Sequence, residues 1–115
     1  MNKIKIKRIY DLPSKDDGYR ILIDRIWPRG VSQEEAMLDD WNKDITPSDE
    51  LRKWFGHDPD RFNEFSKKYR KELDDKKEDL TAIRKKAVEQ DVTLLYAAKD
   101  TEHNHAVVLQ NVLHN

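Results

Sequence analysis

Apolar and polar residues alternate along several short segments of the chain, and a period of two predicts β-strands. The segment KIKIKRI at residues 3–9 places Ile4 and Ile6 on one face and Lys3, Lys5 and Lys7 on the other. In YRILID, residues 19–24, three consecutive apolar residues predict a strand buried on both faces. VTLLYAA, residues 92–98, is the most apolar and β-prone run and predicts the central strand. MLDDW, residues 37–41, is compatible with a short additional strand.

Start signals for helices fill most of the remaining chain. Ser32 followed by Glu35 predicts a capping box. Thr46 with Pro47 predicts the start of a second helix, and the pair Asp58-Pro59 predicts the next start. Apolar residues then recur every three or four positions up to residue 88, which is typical of amphipathic helices. The acidic stretch DDKKED within this region either breaks the helix or forms a solvated turn.

A last helix is predicted over residues 101–113, with Asp100 or Thr101 as its N-cap. The long helical region before the last buried strand is typical of a crossover between parallel strands. The connection between the first two strands is short for such a crossover. We therefore predict the α/β class, with a single small mixed, mostly parallel sheet flanked by helices in a three-layer, Rossmann-like arrangement. We predict one domain over residues 1–115.

The amino-acid composition limits which partners and which cellular compartment we expect for this protein. The 115 residues include 22 Lys and Arg against 23 Asp and Glu, which gives a net charge of −1 and no global attraction to nucleic acid or to membranes. No apolar run approaches 18 residues, and the N-terminal segment lacks the apolar stretch of a signal peptide. The chain has no cysteine, which excludes disulfides and thiolate catalysis. We expect a cytoplasmic protein; the sequence leaves the oligomeric state open.

Candidate chemistry follows the ends of two predicted buried strands. In α/β sheets, ligands bind at the carboxyl ends of strands and against the N-termini of helices. If the two strands are parallel, the segments IDRIWPRG and AAKDTEHNHAVV meet at one rim of the sheet. Arginine guanidinium groups and the free N–H groups of a helix N-terminus favour a small anionic or phosphorylated ligand there. The polar and aromatic residues of this rim are Asp24, Arg25, Trp27, Arg29, Lys99, Glu102, His103, Asn104 and His105.

We assign expected roles within this rim. Arg25 and Arg29 would clamp the anion, with Lys99 as electrostatic support and with Trp27 and Asn104 as further ligand contacts. His105 or His103 is a candidate acid–base group, and Asp24 is the carboxylate that would orient it. Whether the protein is an enzyme stays open. Each residue also has a structural interpretation, namely a helix cap, a core histidine, a surface ion pair or a core tryptophan.

Other chemistries find no support in the sequence. His103 and His105 are two apart, so on a helix they point about 200° away from each other and do not form a metal pair. The other histidines are His114 and His57, and His57 suits either the C-terminus of a helix or a role in a site. There is no G-x-S-x-G, G-x-G-x-x-G or P-loop motif. We expect neither a metal nor a cofactor.

Two alternatives from other functional classes remain open. The basic first strand, with Lys3, Lys5, Lys7 and Arg8, would suit a nucleic-acid-binding or regulatory module, although lysines on an edge strand also prevent aggregation. Exposed aromatic residues around Trp27 and Trp54 would suit a protein-interaction module.

Three segments in order, DGYRILIDRIWPRG, LRKWFGHDPDRF and LLYAAKDTEHNHAVVL, resemble the YeaO-like branch of the domain-of-unknown-function 488 family, over residues 3–113. The resemblance implies a small bacterial cytosolic α/β protein, in a largely uncharacterised family. Longer members carry a D-x-R block and a C-H-R block that are comparable with cysteine-dependent phosphatase-like loops. By resemblance, Asp24-Arg25 stand at the first block and Asn104-His105-Ala106 at the second, without its cysteine and arginine. The resemblance supports a site at these two loops.

Overall fold

A computed structural model describes residues 3–114, which form four strands and five α-helices. The strands are β1 (Ile4–Arg8), β2 (Tyr19–Leu22), β3 (Asp40–Trp41) and β4 (Val92–Tyr96). The helices are α1 (Gln33–Ala36), α2 (Asp49–Phe55), α3 (Phe62–Leu73), α4 (Lys77–Glu89) and α5 (His105–His114). Short 3-10 turns occupy Lys15–Asp17 and Pro59–Arg61. Within residues 3–114, no helix is long and apolar enough to cross a membrane.

The strands form one sheet in the order β1-β4-β2-β3, and every described pair is parallel. The predicted α/β class is confirmed, and β4 is internal and wholly buried, as predicted for the central strand. The structure corrects the expectation of a mixed sheet. Because β4 lies between β1 and β2, those two strands are not neighbours, and the short connection at residues 9–18 does not have to form a hairpin.

The two faces of the sheet are covered unequally. Helices α2 to α5 pack on one face and enclose the larger apolar core, in which Leu94 and Ile21 lie. Helix α1 and the loops after β1 and β2 cover the other face, where Leu95 and Leu22 lie in a smaller core. Neighbouring residues of one strand thus face opposite layers, as the pleat requires. The predicted three layers are present, one of them thin.

Helix α2 begins two residues later than predicted. The hydroxyl of Thr46, the expected cap, donates to the carbonyl of Lys43 at 2.7 Å. Ser48 is the cap instead, and its Oγ accepts from the backbone N–H of Leu51 at 3.2 Å. Glu72 of α3 accepts from both the N–H and the Oγ of Ser48, at 2.9 and 2.6 Å. This contact between helices fixes the start of α2.

Helix α5 begins at His105 rather than at residue 101. Asp100 was a predicted cap, but its Oδ1 accepts from two backbone N–H groups of the turn that precedes the helix. Asn104, which is 2% exposed, caps the helix itself, because its Oδ1 accepts from the N–H of Val107 at 3.0 Å. The correction matters for the site, because it places His105 in the first helical turn.

The other start signals agree with the structure. Ser32 and Glu35 form the predicted capping box at α1. Asp58 caps the turn that begins at Pro59 and leads into α3. The acidic stretch does break the helical region, since α3 ends at Leu73 and α4 begins at Lys77.

Candidate functional site

A cleft of about 1020 Å³ opens at the carboxyl ends of β2 and β4. One wall is the loop at residues 24–29, and the opposite wall is α2 with the residues that follow it. The loop at residues 97–100 and the start of α5 complete the cleft. Seven of the nine predicted rim residues line this cleft, and Glu102 and His103 do not. The ionisable lining residues of the cleft, apart from Tyr10, are Asp24, Arg25, Arg29, Asp49, Arg52, Lys53, His57, Lys99, Asp100 and His105.

Asp24 and His105 form a largely buried polar contact in the cleft. The Nε2 atom of His105 lies 3.0 Å from Asp24 Oδ1 and 2.8 Å from the carbonyl oxygen of Ile23. Asp24 Oδ2 accepts from the N–H of Ala97 at 2.9 Å. Each side chain is only 16% exposed. Because a carbonyl can only accept, Nε2 carries the proton, and these bonds join the ends of β2 and β4 to α5.

Arg25 projects between the two walls of the cleft. Its Nη2 donates to the carbonyl of Pro47 at 3.2 Å, and its Nε lies 3.7 Å from Asp49 Oδ1. That separation is short enough for an ion pair and too long for a hydrogen bond. Arg25 Nε is buried, and it has no hydrogen-bond partner within residues 3–114. Among these residues, the Nε–H of Arg25 therefore makes no hydrogen bond and lies in an ion pair with Asp49.

Three other predicted ligand contacts also line the cleft. Lys99 and Arg29 are exposed at its edge, and the carbonyl of Arg29 accepts from the hydroxyl of Tyr10 at 2.9 Å. Trp27 donates its indole N–H to the carbonyl of Val31 at 2.6 Å and packs edge-on against Trp41, with ring centroids 5.2 Å apart. Trp27 is thus half-buried and fixed in place.

Asn104 and His103 lie close together in sequence but differ in position. Asn104 lines the cleft, and both ends of its amide are used, as the cap of α5 and as a donor to the carbonyl of Asp100 at 2.8 Å. His103 does not line the cleft. Its Nδ1 lies 2.9 Å from Asp100 Oδ2, and its ring packs edge-on against Phe62. Glu102 is exposed and also lies outside the lining.

Hydrogen bonds and burial shift two pKa values at this edge of the cleft, those of Asp100 and Tyr96. The backbone N–H groups of Glu102 and His103 hold the pKa of Asp100 below its ordinary value, so this carboxylate is charged near neutrality. Burial raises the pKa of Tyr96, although a hydrogen bond with Asn104 acts in the opposite direction. The loop therefore places a fixed negative charge at one edge of the cleft.

Sequence reasoning missed the contribution of α2 to the cleft. Asp49, Arg52 and Lys53 line one wall, and Arg52 Nη1 lies 2.9 Å from Asp49 Oδ1. His57 also lines the cleft, in a left-handed conformation with φ of 58°. The only local signal was the segment LRKWFGHDP, which was interpreted as a helix end. Its position opposite residues 24–29 depends on how α2 packs, which no local pattern encodes.

The described residues contain no group of three His, Cys, Asp or Glu side chains placed to share a metal ion.

The two lysines of β1, Lys5 and Lys7, form ion pairs with aspartates. Lys7 Nζ lies 3.1 Å from Asp17 Oδ1, Lys5 Nζ lies 3.4 Å from Asp91 Oδ2, and Lys5 also donates to the carbonyl of Asp16. Trp54 is half-buried and covered by the ammonium group of Lys68, 4.0 Å from its ring centroid.

Comparisons with known proteins agree with the resemblance seen in the sequence. The family model DUF488-N3i, described as the inactive DUF488-N3 subclade, matches residues 3–115. The chain is 44% identical over 110 residues to the uncharacterized protein YeaO of Escherichia coli strain K12, a match that covers 96% of each protein. It is 39% identical over 111 residues to the uncharacterized protein Rv3073c of Mycobacterium tuberculosis strain H37Rv, which covers 96% of this chain and 93% of the relative. No solved structure matches significantly.

Proposed function

Because the chain belongs to the family described as the inactive DUF488-N3 subclade, we propose a binding function for its cleft, without a chemical step. The ligand is a small anionic or phosphorylated molecule, held at the carboxyl ends of β2 and β4. The chain has no cysteine and therefore cannot use a thiolate nucleophile. No observation favours a nucleic-acid or protein-interaction function over this one, because the lysines of β1 are paired and Trp54 is covered.

The positive lining of the cleft carries this proposal. Five Lys and Arg residues line the cleft against three Asp residues, in a chain whose overall charge is −1. All three acids make contacts: Asp24 with His105, Asp100 with backbone N–H groups, and Asp49 with Arg52 and Arg25. A concave positive surface attracts and concentrates anions. The guanidinium of Arg25, whose side chain is 37% exposed, adds charged donors that would bind a phosphate or carboxylate oxygen.

The residues of the cleft divide into ligand contacts and supporting residues. Arg25 is the principal anion contact, and Arg29 and Lys99 add positive charge from the exposed edge. Asp24 and His105 support the site by joining the two strand ends to α5. We assign His105 no acid–base role, because its Nε2 proton is held between two acceptors inside the fold.

Arg25→Ala tests the proposal directly. We expect inorganic phosphate and phenyl phosphate to bind the unaltered protein and to bind this variant about tenfold more weakly, since a hydrogen bond to a charged group contributes roughly 1.5–3 kcal/mol. Isothermal titration calorimetry at low ionic strength measures the change. Arg70→Ala on α3 is the matched control, because Arg70 does not line the cleft. Equal losses in the two variants, or no binding to the unaltered protein, would contradict the proposal.

A further inference from the structure

The cleft is larger than a small inorganic anion requires. Ligand pockets of about 300–1,000 Å³ accommodate drug-sized molecules, and this cleft has about 1020 Å³. Phosphate alone, held at Arg25, would leave most of that space filled with water. The cleft therefore has room for a ligand with a body as well as a charged group.

Apolar side chains line the cleft together with Arg25 and the other charged residues. Ile26 and Tyr10 line the cleft and are 66% and 45% exposed, which places them among the few large apolar side chains left open to solvent. Tyr10 is fixed there by its hydroxyl bond to Arg29 and by the guanidinium of Arg8, 5.0 Å from its ring centroid. A fixed exposed apolar wall beside a cation is a suitable contact for the apolar part of a bound molecule.

The opposite side of the cleft is also apolar at depth. Pro47, Phe55 and Phe65 contribute to the lining, and the two phenylalanine rings stack with centroids 4.3 Å apart. Arg25 reaches this side through its bond to the carbonyl of Pro47. The cation therefore lies where the apolar surfaces of the two walls approach each other.

We infer that the ligand is an amphipathic anion, in which a phosphate or carboxylate group bound by Arg25 is attached to an apolar body that covers Ile26 and Tyr10. This inference rests on the proposed function and narrows it from anions in general to anions with an apolar body. Burial of apolar surface adds affinity roughly in proportion to the area covered. The affinity should accordingly rise with the size of the body at constant charge.

A series of probes with the same headgroup tests this inference. Inorganic phosphate, phenyl phosphate and 1-naphthyl phosphate share the phosphate group and differ in apolar area. The probe 1-naphthol has the apolar body without the phosphate group. Decyl phosphate replaces the flat body by a flexible chain. We expect 1-naphthyl phosphate to bind about tenfold more tightly than inorganic phosphate, and 1-naphthol at least tenfold more weakly than its phosphate. Titration calorimetry measures all five.

Ile26→Ser should weaken 1-naphthyl phosphate about fivefold, since it removes an apolar contact and no charge. Met37→Ser is the matched control, because Met37 is 61% exposed and lies outside the cleft, and we expect no change there. If phosphate binds through Arg25 but the naphthyl ester binds no tighter, the inference fails and the proposed function stands. If no probe binds, or 1-naphthol binds as tightly as its phosphate, the proposed function fails as well. Tighter binding of decyl than of naphthyl phosphate identifies a lipid-like body and supports the inference.

Discussion

Asp49 is the residue that most directly opposes anion binding in the cleft. Its Oδ1 lies 2.9 Å from Arg52 Nη1 and 3.7 Å from Arg25 Nε, so one carboxylate faces an arginine from each wall of the cleft. An incoming phosphate would approach the same groups and would be repelled by this charge. The carboxylate thus occupies part of the positive surface that the proposal assigns to the ligand.

Asp49→Asn should therefore raise the affinity for inorganic phosphate by about threefold, in line with the roughly 0.2–1 kcal/mol that exposed ion pairs contribute. Calorimetry at low and at high salt measures the effect, which should shrink as salt screens the charges. Asp44→Asn is the control, because Asp44 is exposed and lies outside the cleft. Unchanged or weaker phosphate binding in Asp49→Asn would argue against competition between this carboxylate and the ligand.

Among the elements, the 3-10 turn Lys15–Asp17 joins three strands through Asp17. Its carboxylate lies 2.6 Å from Arg20 Nη1 of β2 and 3.1 Å from Lys7 Nζ of β1, and its carbonyl accepts from Thr93 of β4 at 2.7 Å. Burial alone would raise the pKa of Asp17, but hydrogen bonds from the Ser14 backbone, Lys7 and Arg20 hold it below its ordinary value. The ionised carboxylate is therefore part of the native sheet.

The direction of this shift predicts how stability depends on pH. A carboxyl group with a lowered folded pKa stabilises the fold above its unfolded pKa of about 3.9, and this contribution is lost as the pH falls through the folded value. Asp17→Asn should cost about 3 kcal/mol at pH 7, because the change leaves the buried Arg20 without its counter-charge. The difference from the unaltered protein should narrow below pH 4.

Urea unfolding at pH 7 and at pH 3 measures both quantities. Asp16→Asn is the control, since Asp16 is exposed and its backbone makes its hydrogen bonds, from its N–H to Ser14 Oγ and from Lys5 to its carbonyl. A cost that stays constant from pH 7 to pH 3 would show that the charge of Asp17 is not what stabilises the turn.

The elements also show where local sequence signals suffice. The Ser32–Glu35 capping box and the buried run 92–96 were predicted, because each depends on residues adjacent in the chain. The start of α2 was not, because Thr46 and Ser48 are both good caps and Glu72 of another helix decides between them. Tertiary contacts of this kind override local preference.

At the scale of the whole molecule, the sequence predicted one half of the cleft and missed the other. Residues 24–29 and 97–105 follow buried strands, so their meeting at one edge follows from a parallel sheet. The wall formed by α2 depends on the packing of helices over the larger core, which has no local signature. The excess of Lys and Arg in the cleft could not be predicted from the net charge of −1, because the acids that balance it lie elsewhere in the chain.

The central claim is that this cleft, and no other surface, binds a small anion. Titration of the isotope-labelled protein with phenyl phosphate, followed by two-dimensional amide NMR, tests it residue by residue. The proposed function predicts saturable shifts at residues 24–29, 49–57 and 97–105, and their loss in Arg25→Ala. Shifts centred instead on the smaller groove around Arg70, Lys77 and Thr81, or no saturable shift at all, would contradict it.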